Sequence, residues 1–263
     1  MPSFKHGDVE ISYEIRGAGK PLLLVAGLAS DRAFWFPVVD TLAARHQLIL
    51  VDNRGSGQTS PLDVRSSIEA MAGDCIALVR HLRLPRVDLA GHSMGGMIAQ
   101  RIAATEHALV DRLILAATVT QNPERNNDLF TTFATLFETA DRGLWFRNLF
   151  YWVLSPRFFE NRQQVDALVQ LAATYPFQQS AVALRNQMGA IKAFDGRAAL
   201  PAIRARTLVL AGAEDLLFSL ASTTAMAHAI PRSTLSVMDG AAHSFPTEFP
   251  AEFTRHVLEF LAG

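Results

Sequence analysis

Cys75 is the only cysteine in this chain. An intrachain disulfide is therefore excluded, no cysteine pair is available to grip a metal, and the usage suits a reducing compartment. Long apolar runs are also missing. No window approaches the roughly 20 residues needed to span a bilayer. The opening MPSFKHGDVEISYEIRG alternates like a β-hairpin and lacks the apolar core of a signal peptide. The expectation is a soluble, cytoplasmic protein. An excess of one charge is absent too: 24 Lys and Arg stand against 25 Asp and Glu, interspersed throughout. That leaves no basic field for nucleic acid and no polybasic patch for lipid, so neither partner is expected. There is no H-E-x-x-H, and Gly55-Ser56-Gly57 lacks the lysine of a phosphate loop. No metal and no cofactor are called for. Repeats and low-complexity segments are likewise absent.

What is present is regular alternation. At 263 residues the chain has enough length to bury a full core without disulfides. Strand-like runs occur at 9–16, 21–26, 47–52, 86–90, 111–117, 206–212 and 233–238. Helical stretches fall at about 35–45, 66–83, 94–106, 219–229 and 247–262. This alternation implies βαβ units and a mostly parallel sheet with helices on both faces. The runs LLLVAG, LILVD, LILAA and LVLAG are continuously apolar, as strands covered above and below must be. Ser66 and Glu69 fit a capping box at the start of the helix that carries Cys75. Ile68, Met71, Ala72, Ile76, Val79 and Leu82 share that helix's apolar face with Cys75, which reads as a small core hydrophobe.

The alternation breaks between 121 and 200, where helices at 126–141, 143–153, 158–174 and 178–193 are expected. The division is therefore a core of residues 1–120 and 201–263 with a helical insertion at 121–200. This insertion holds 13 of the chain's 23 aromatic residues, enough both to dock on a core and to line a dry pocket. Phe130, Phe133 and Phe137 recur at i, i+3 and i+7, and Trp145, Phe146, Leu149, Phe150 and Trp152 follow. Most are expected to hold the insertion down; Phe130, Phe133, Trp145 and Trp152 are the candidates for substrate contact.

The chemistry concentrates in RVDLAGHSMGGMIAQRIAATE, residues 86–106. An apolar strand leads into Gly91-His92-Ser93-Met94-Gly95, then a small-residue helix. This is G-x-S-x-G in the strand-turn-helix setting that strains a serine and exposes its Oγ at a helix N-terminus. A hydroxyl is a poor nucleophile without a base in hydrogen-bond reach, and the base needs an anion to fix its tautomer. TLVLAGAEDLLF (207–218) ends a strand at Asp215, and LSVMDGAAHSFPTEFP (235–250) ends another before His243. Ser93, Asp215 and His243 thus fall in the order nucleophile, acid, base. Glu214, Asp239 and Asp111 are the alternative acids. His92 reads as part of the elbow or pocket wall, because its backbone position points it away from Ser93. Asp31 and Arg32 read as loop charges that a polar substrate could touch. Asp52 and Arg54 read as a structural turn.

Three further stretches carry a family resemblance. VDNRGSGQTS (51–60) resembles a D-x-R-G-x-G-x-S turn, HSFPTEFP (243–250) an H-x-x-x-x-E-x-P ending, and LLLVAGLASDRAFW (22–35) a strand followed by His-Gly and an oxyanion loop. With the elbow, they resemble the α/β-hydrolase superfamily nearly end to end. Ala26 stands where that family usually has histidine, while Gly27 remains. The A-G-x-x-x-D-x-x-x-W run is similar to enol-lactonase-like and small esterase-like members. The resemblance implies the α/β-hydrolase fold, an eight-stranded mostly parallel sheet, with residues 121–200 as a cap. It favours Asp215 through its Gly-x-x-Asp placement after Gly212. It also implies an oxyanion hole from the backbone N–H groups of Leu28 and Met94, with Gly27 and His92 at the pocket. The expected activity is cofactor-free cleavage of a small ester or lactone. C–C bond hydrolysis, perhydrolysis or a triad-bearing ligand receptor are the alternatives, and oligomeric state is left open.

Overall fold

The computed structural model describes residues 1–263. Its strands are β1 (Ser3–His6), β2 (Val9–Arg16), β3 (Lys20–Val25), β4 (His46–Val51), β5 (Val87–His92), β6 (Val110–Ala116), β7 (Arg206–Gly212) and β8 (Ser233–Met238). They form one sheet in the order β1-β2-β4-β3-β5-β6-β7-β8. The β1–β2 and β2–β4 pairs are antiparallel; every other neighbouring pair is parallel. The expected opening hairpin is there, turning at Gly7. Because β3, β5, β7 and β8 run in one direction, Leu28, Ser93, Asp215 and His243 all emerge at the same rim. Loops at the carboxyl ends of parallel strands are where α/β proteins place their sites.

Helices cover both faces. On one lie α1 (Phe36–Ala43), α10 (Phe245–Glu248) and α11 (Pro250–Ala262), which bury Trp35, Val38, Leu42, Phe245, Phe253 and Val257 against the even-numbered side chains of β3 and β4. On the other lie α2 (Ile68–His81), α3 (Met94–Thr105) and α9 (Leu220–Ala229). That core of 52 buried residues is continuous with the insertion, against 21 on the first face. The asymmetry means the insertion is part of the same packed body as the sheet. Cys75 is 1% exposed within it, as its helical position required.

The insertion comprises α4 (Glu124–Thr139), α5 (Arg142–Val153), α6 (Pro156–Phe159), α7 (Arg162–Ala173) and α8 (Ala181–Ala193). Its ends meet in a bridge between Gln121 and Asp195. Among the boundaries that differ from the sequence reading, three trace to local capping chemistry. The α2 cap is Ser67, whose side chain accepts from the Ala70 N–H; Ser66 lies one residue too early. The helix expected from 158 is split into α6 and α7, because Asn161 turns its side chain onto the Gln164 N–H and starts a new helix. The last helix is broken at Phe249, where Pro250 opens α11 in the position that wastes no N–H. No helix is long and apolar enough to cross a membrane.

Candidate active site

Ser93 sits at φ 55°, ψ −120° between β5 and α3, a backbone region that side chains rarely occupy. The strain is held by close packing on both sides. A Cβ on Gly91 would land on the Gly95 carbonyl, and one on Gly95 would land on the Val25 carbonyl. Gly27 is tight for a related reason: a Cβ there would lie 3.0 Å from the Ser93 Cβ. The loop after β3 and the elbow therefore touch directly.

Three side chains from three strand ends form one hydrogen-bonded line. His243 Nε2 lies 2.9 Å from Ser93 Oγ, and its Nδ1 lies 2.8 Å from Asp215 Oδ2. The other carboxylate oxygen, Oδ1, accepts the backbone N–H groups of Leu217 and Phe218 at 2.8 and 3.0 Å. Asp215 is thus oriented by its own loop, so Oδ2 alone faces the ring. The competing acids take no part: Asp111 is engaged with Lys20 and Arg86, and His243 has no contact with Glu214 or Asp239 among its hydrogen bonds.

His92 does more than border the pocket. It is 3% exposed, and its Nε2–H donates to the His243 carbonyl at 2.9 Å. A carbonyl only accepts, so the proton is on Nε2 and Nδ1 carries a lone pair. Burial, then the nearby His243, pushes the ring's pKa down to about 3, which keeps it neutral. Phe34 stacks on it at 4.4 Å. The last side chain of β5 therefore braces the backbone of the residue that touches Ser93. Sequence gave no sign of this beyond the adjacency of positions 92 and 93.

The Asp52 turn is structural as expected. Asp52 accepts from the Gln58 and Arg32 N–H groups and from the Arg32 guanidinium at 2.8–3.0 Å. Burial pushes its pKa up to about 6 against those donors. Arg54 grips Asp74 with two nitrogens at 2.6 and 2.8 Å. Glu248, from the H-x-x-x-x-E-x-P ending, accepts the Ser155 N–H at 2.8 Å and so ties the histidine loop to the insertion. On the acid side Asn126, fully buried, donates to the Leu217 carbonyl at 2.9 Å. Neither tie was readable in advance, since each joins a loop to a segment far away in sequence.

Ser93 opens into a cavity of about 550 Å³ bounded by 38 residues, 26 of them apolar. Gly27, Leu28, His92 and Met94 border it on the core side; Phe130, Phe133 and Trp145 border it from the insertion. Trp152 does not. The bordering side chains of α5 are Trp145, Phe146, Leu149, Phe150 and Val153. At ~100° per residue, Trp152 lies roughly 90° around from the middle of that face. It packs edge-on to Tyr151 at 5.7 Å. The sequence reading chose it for its aromatic character, although Asn148, one turn earlier, marks the polar side of the helix on which it lies. Among the bordering groups that the sequence did not single out are Phe34, Tyr175, Leu217 and Phe218.

Comparison with known proteins agrees with the fold. The α/β-hydrolase fold family profile matches residues 20–250. A protein described as a candidate carbamate hydrolase, RutD, from Azorhizobium caulinodans is 30% identical over 99% of this chain and 98% of its own length. Among solved structures, the enol-lactonase from Burkholderia xenovorans superimposes with a TM-score of 0.89 over the whole of both chains at 24% identity. A thermophilic esterase from Thermogutta terrifontis gives 0.85 over 97% of this chain and 93% of its own, at 27% identity. The chain belongs to the α/β-hydrolase fold family and is an enzyme of the hydrolase class.

Proposed function

We propose that this enzyme is a serine hydrolase that cleaves a carboxylic ester or lactone through an acyl-enzyme. The observation that carries the reading is the unbroken line Asp215–His243–Ser93 opening into an apolar cavity. Ser93 Oγ attacks the carbonyl carbon as His243 Nε2 takes its proton. The negative charge on the carbonyl oxygen is received by the N–H groups of Leu28 and Met94, which border the cavity beside the serine. As the tetrahedral species collapses, the imidazolium returns the proton to the departing alkoxide. Water then repeats the sequence on the acyl group and frees Ser93. Asp215 accepts the Nδ1–H and stabilises the imidazolium formed in each half-reaction. In this reading residues 121–200 act as a cap whose aromatic faces keep the acyl group dry.

The full-length relationship to RutD makes a carbamate the second reading, since its carbonyl is open to the same attack. The site also suits C–C bond hydrolysis or perhydrolysis, which use the same three side chains. The test is a panel of short-chain 4-nitrophenyl esters, lactones, N-substituted carbamates and dienones, run on wild type and on Ser93→Ala with matched melting curves. Turnover of an ester or lactone that vanishes in Ser93→Ala supports the proposal. Turnover retained by the folded variant removes it. Rates below about 10⁻² s⁻¹ on every substrate, where enzymes ordinarily reach 1–10³ s⁻¹, would favour the ligand-receptor alternative.

A further inference from the structure

The border of the cavity is unusual in its charge. None of its 38 residues is lysine or arginine, and Asp31 is its one carboxylate. The adjacent Arg32 does not neutralise Asp31: its guanidinium is turned to Asp52 Oδ2 and Ser12 Oγ, at 2.8 and 2.9 Å. Asp31 has no ion pair. Its Oδ1 accepts the Ala33 N–H at 2.8 Å, and its Oδ2 accepts the Tyr175 phenol at 2.7 Å. The second contact crosses from the oxyanion loop to the insertion. Burial, then Asp31 itself, pushes the Tyr175 phenol well above its usual range, so it stays protonated and donating.

The neutral polar groups point the same way. His92 is uncharged, and its Nδ1 is a buried acceptor without a donor. Gln179 directs its amide nitrogen to the Gly55 carbonyl at 2.6 Å, which leaves its carbonyl oxygen as another unpartnered acceptor. Gln178 uses its amide nitrogen on the Ala172 and Ala173 carbonyls. The cavity thus presents a carboxylate and orphaned acceptors, while its free amide donors are already spent. The donors that remain are neutral, the hydroxyls of Ser244 and Thr247 and the oxyanion N–H groups, and in the proposed reaction the carbonyl occupies the last.

We propose that this cavity excludes anionic substrates and accepts neutral or cationic ones, and that Asp31, held by Tyr175, is the residue that sets the discrimination. The inference rests on the serine-hydrolase reading of the same site. Its size follows from the geometry. The case that matters is a substrate carboxylate held at about 10 Å from Asp31 within the cavity they share. At the effective dielectric of protein sites, repulsion over that range corresponds to about a tenfold penalty, and loss of hydration adds to it.

The experiment compares matched esters: 4-nitrophenyl pentanoate with mono-4-nitrophenyl glutarate, and phenyl butanoate with 4-carboxyphenyl butanoate. Each kcat/KM is divided by the ester's rate with hydroxide. Wild type should prefer the neutral member of each pair by tenfold or more. Asp31→Asn keeps an acceptor for the Ala33 N–H, and it should narrow the gap at least fivefold in one pair or both. Tyr175→Phe, which removes the clamp but no charge, should keep the gap above fivefold. Equal rates on neutral and anionic esters overturn the proposal. A wild-type gap that survives unchanged in folded Asp31→Asn overturns the role of Asp31. Calorimetric affinities of Ser93→Ala for the same four esters make the comparison without turnover. Absence of Ser93-dependent hydrolysis would therefore sink the catalytic reading alone, while equal affinities would sink the charge filter alone.

Discussion

Replacing Asp215 by asparagine tests the reading of the site more sharply than deleting it. Its two oxygens have different work: Oδ1 accepts from the Leu217 and Phe218 N–H groups, and Oδ2 faces His243 Nδ1. The asparagine oxygen must take the Oδ1 position, because the reverse flip would aim an NH₂ at two N–H donors and lose two bonds worth about 1 kcal/mol each. The amide NH₂ then points at Nδ1 and forces the lone pair there. The proton moves to Nε2, where it faces Ser93 Oγ, and the base is gone. Wrong-tautomer trapping of this kind costs about 10⁴ in kcat, or about 5.4 kcal/mol in barrier. KM should change little, since Asp215 does not border the cavity. Asp215→Ala makes the contrast. It leaves both loop N–H groups without their acceptor and should destabilise the fold by about 2 kcal/mol, yet it does not force the tautomer. The expected result in ester turnover and urea denaturation is a paradoxical order: the alanine variant less stable but more active than the asparagine variant. Asp215→Asn turnover within tenfold of wild type would refute the assignment of Asp215 as orienting acid.

Other outcomes follow from the same geometry. The folded-state pKa of His92 is depressed from 6.5 to about 3, so the unfolded chain binds the extra proton and stability is lost as pH falls from about 6.5 towards 3. By linkage this penalty grows by about 2 kcal/mol between pH 7 and pH 5. In urea titrations at the two values, His92→Phe should therefore gain about 2 kcal/mol relative to wild type on acidification, and a constant difference would contradict it. Gly95→Ala should fail to give soluble folded protein, because its Cβ would meet the Val25 backbone carbonyl. By contrast Gly189→Ala, an exposed position in α8 with nothing within 4 Å, should raise stability by about 0.5–1 kcal/mol; thermal melts read both. Cys75, buried and pushed far above the ordinary thiol range by desolvation, should react with a thiol reagent only after denaturant is added.

What was legible in the sequence is what local chemistry determines. The positions of Ser93, Asp215 and His243 could be read because each follows an apolar strand, and parallel strands deliver their ends to one rim. Phe130 and Phe133 could be put on one face of α4 from their i, i+3 spacing, but spacing does not say what that face meets, and only the fold brings it to the cavity. On α5 Arg147 and Asn148 mark the polar side, and Trp152, one turn after Asn148, was misplaced because aromatic character rather than helix phase selected it. The helix breaks at Asn161 and Phe249 depended on which polar side chain or proline takes the cap among several that could. His92 bracing the His243 carbonyl, Asn126 on the Leu217 carbonyl and Tyr175 on Asp31 were all invisible. Each contact spans 91 residues or more in sequence, and no periodicity encodes a contact of that kind.

Those distant contacts share a pattern that bears on how substrate enters. The insertion is tied to the loops around the site other than the elbow: Asn126 to the Asp215 loop, Ser155 to Glu248 behind the histidine, Val153 to the Ser244 N–H, Tyr175 to Asp31, and Gln179 and Gln187 to the Arg54–Ser56 turn. Swinging the whole insertion away would break all of these together, at a net cost of about 1 kcal/mol each, and would expose the aromatic core beneath. Local movement is far cheaper. Phe36, Leu171 and Phe177 border the cavity yet are 56%, 66% and 42% exposed, which marks the mouth between the start of α1 and the end of α7. A polar tie beside that mouth is Tyr175 to Asp31. Tyr175→Phe should therefore speed the entry of bulky neutral esters, seen as a lower KM for 4-nitrophenyl octanoate than for the acetate relative to wild type. An unchanged KM ratio, with the variant fully folded, would place the entrance elsewhere.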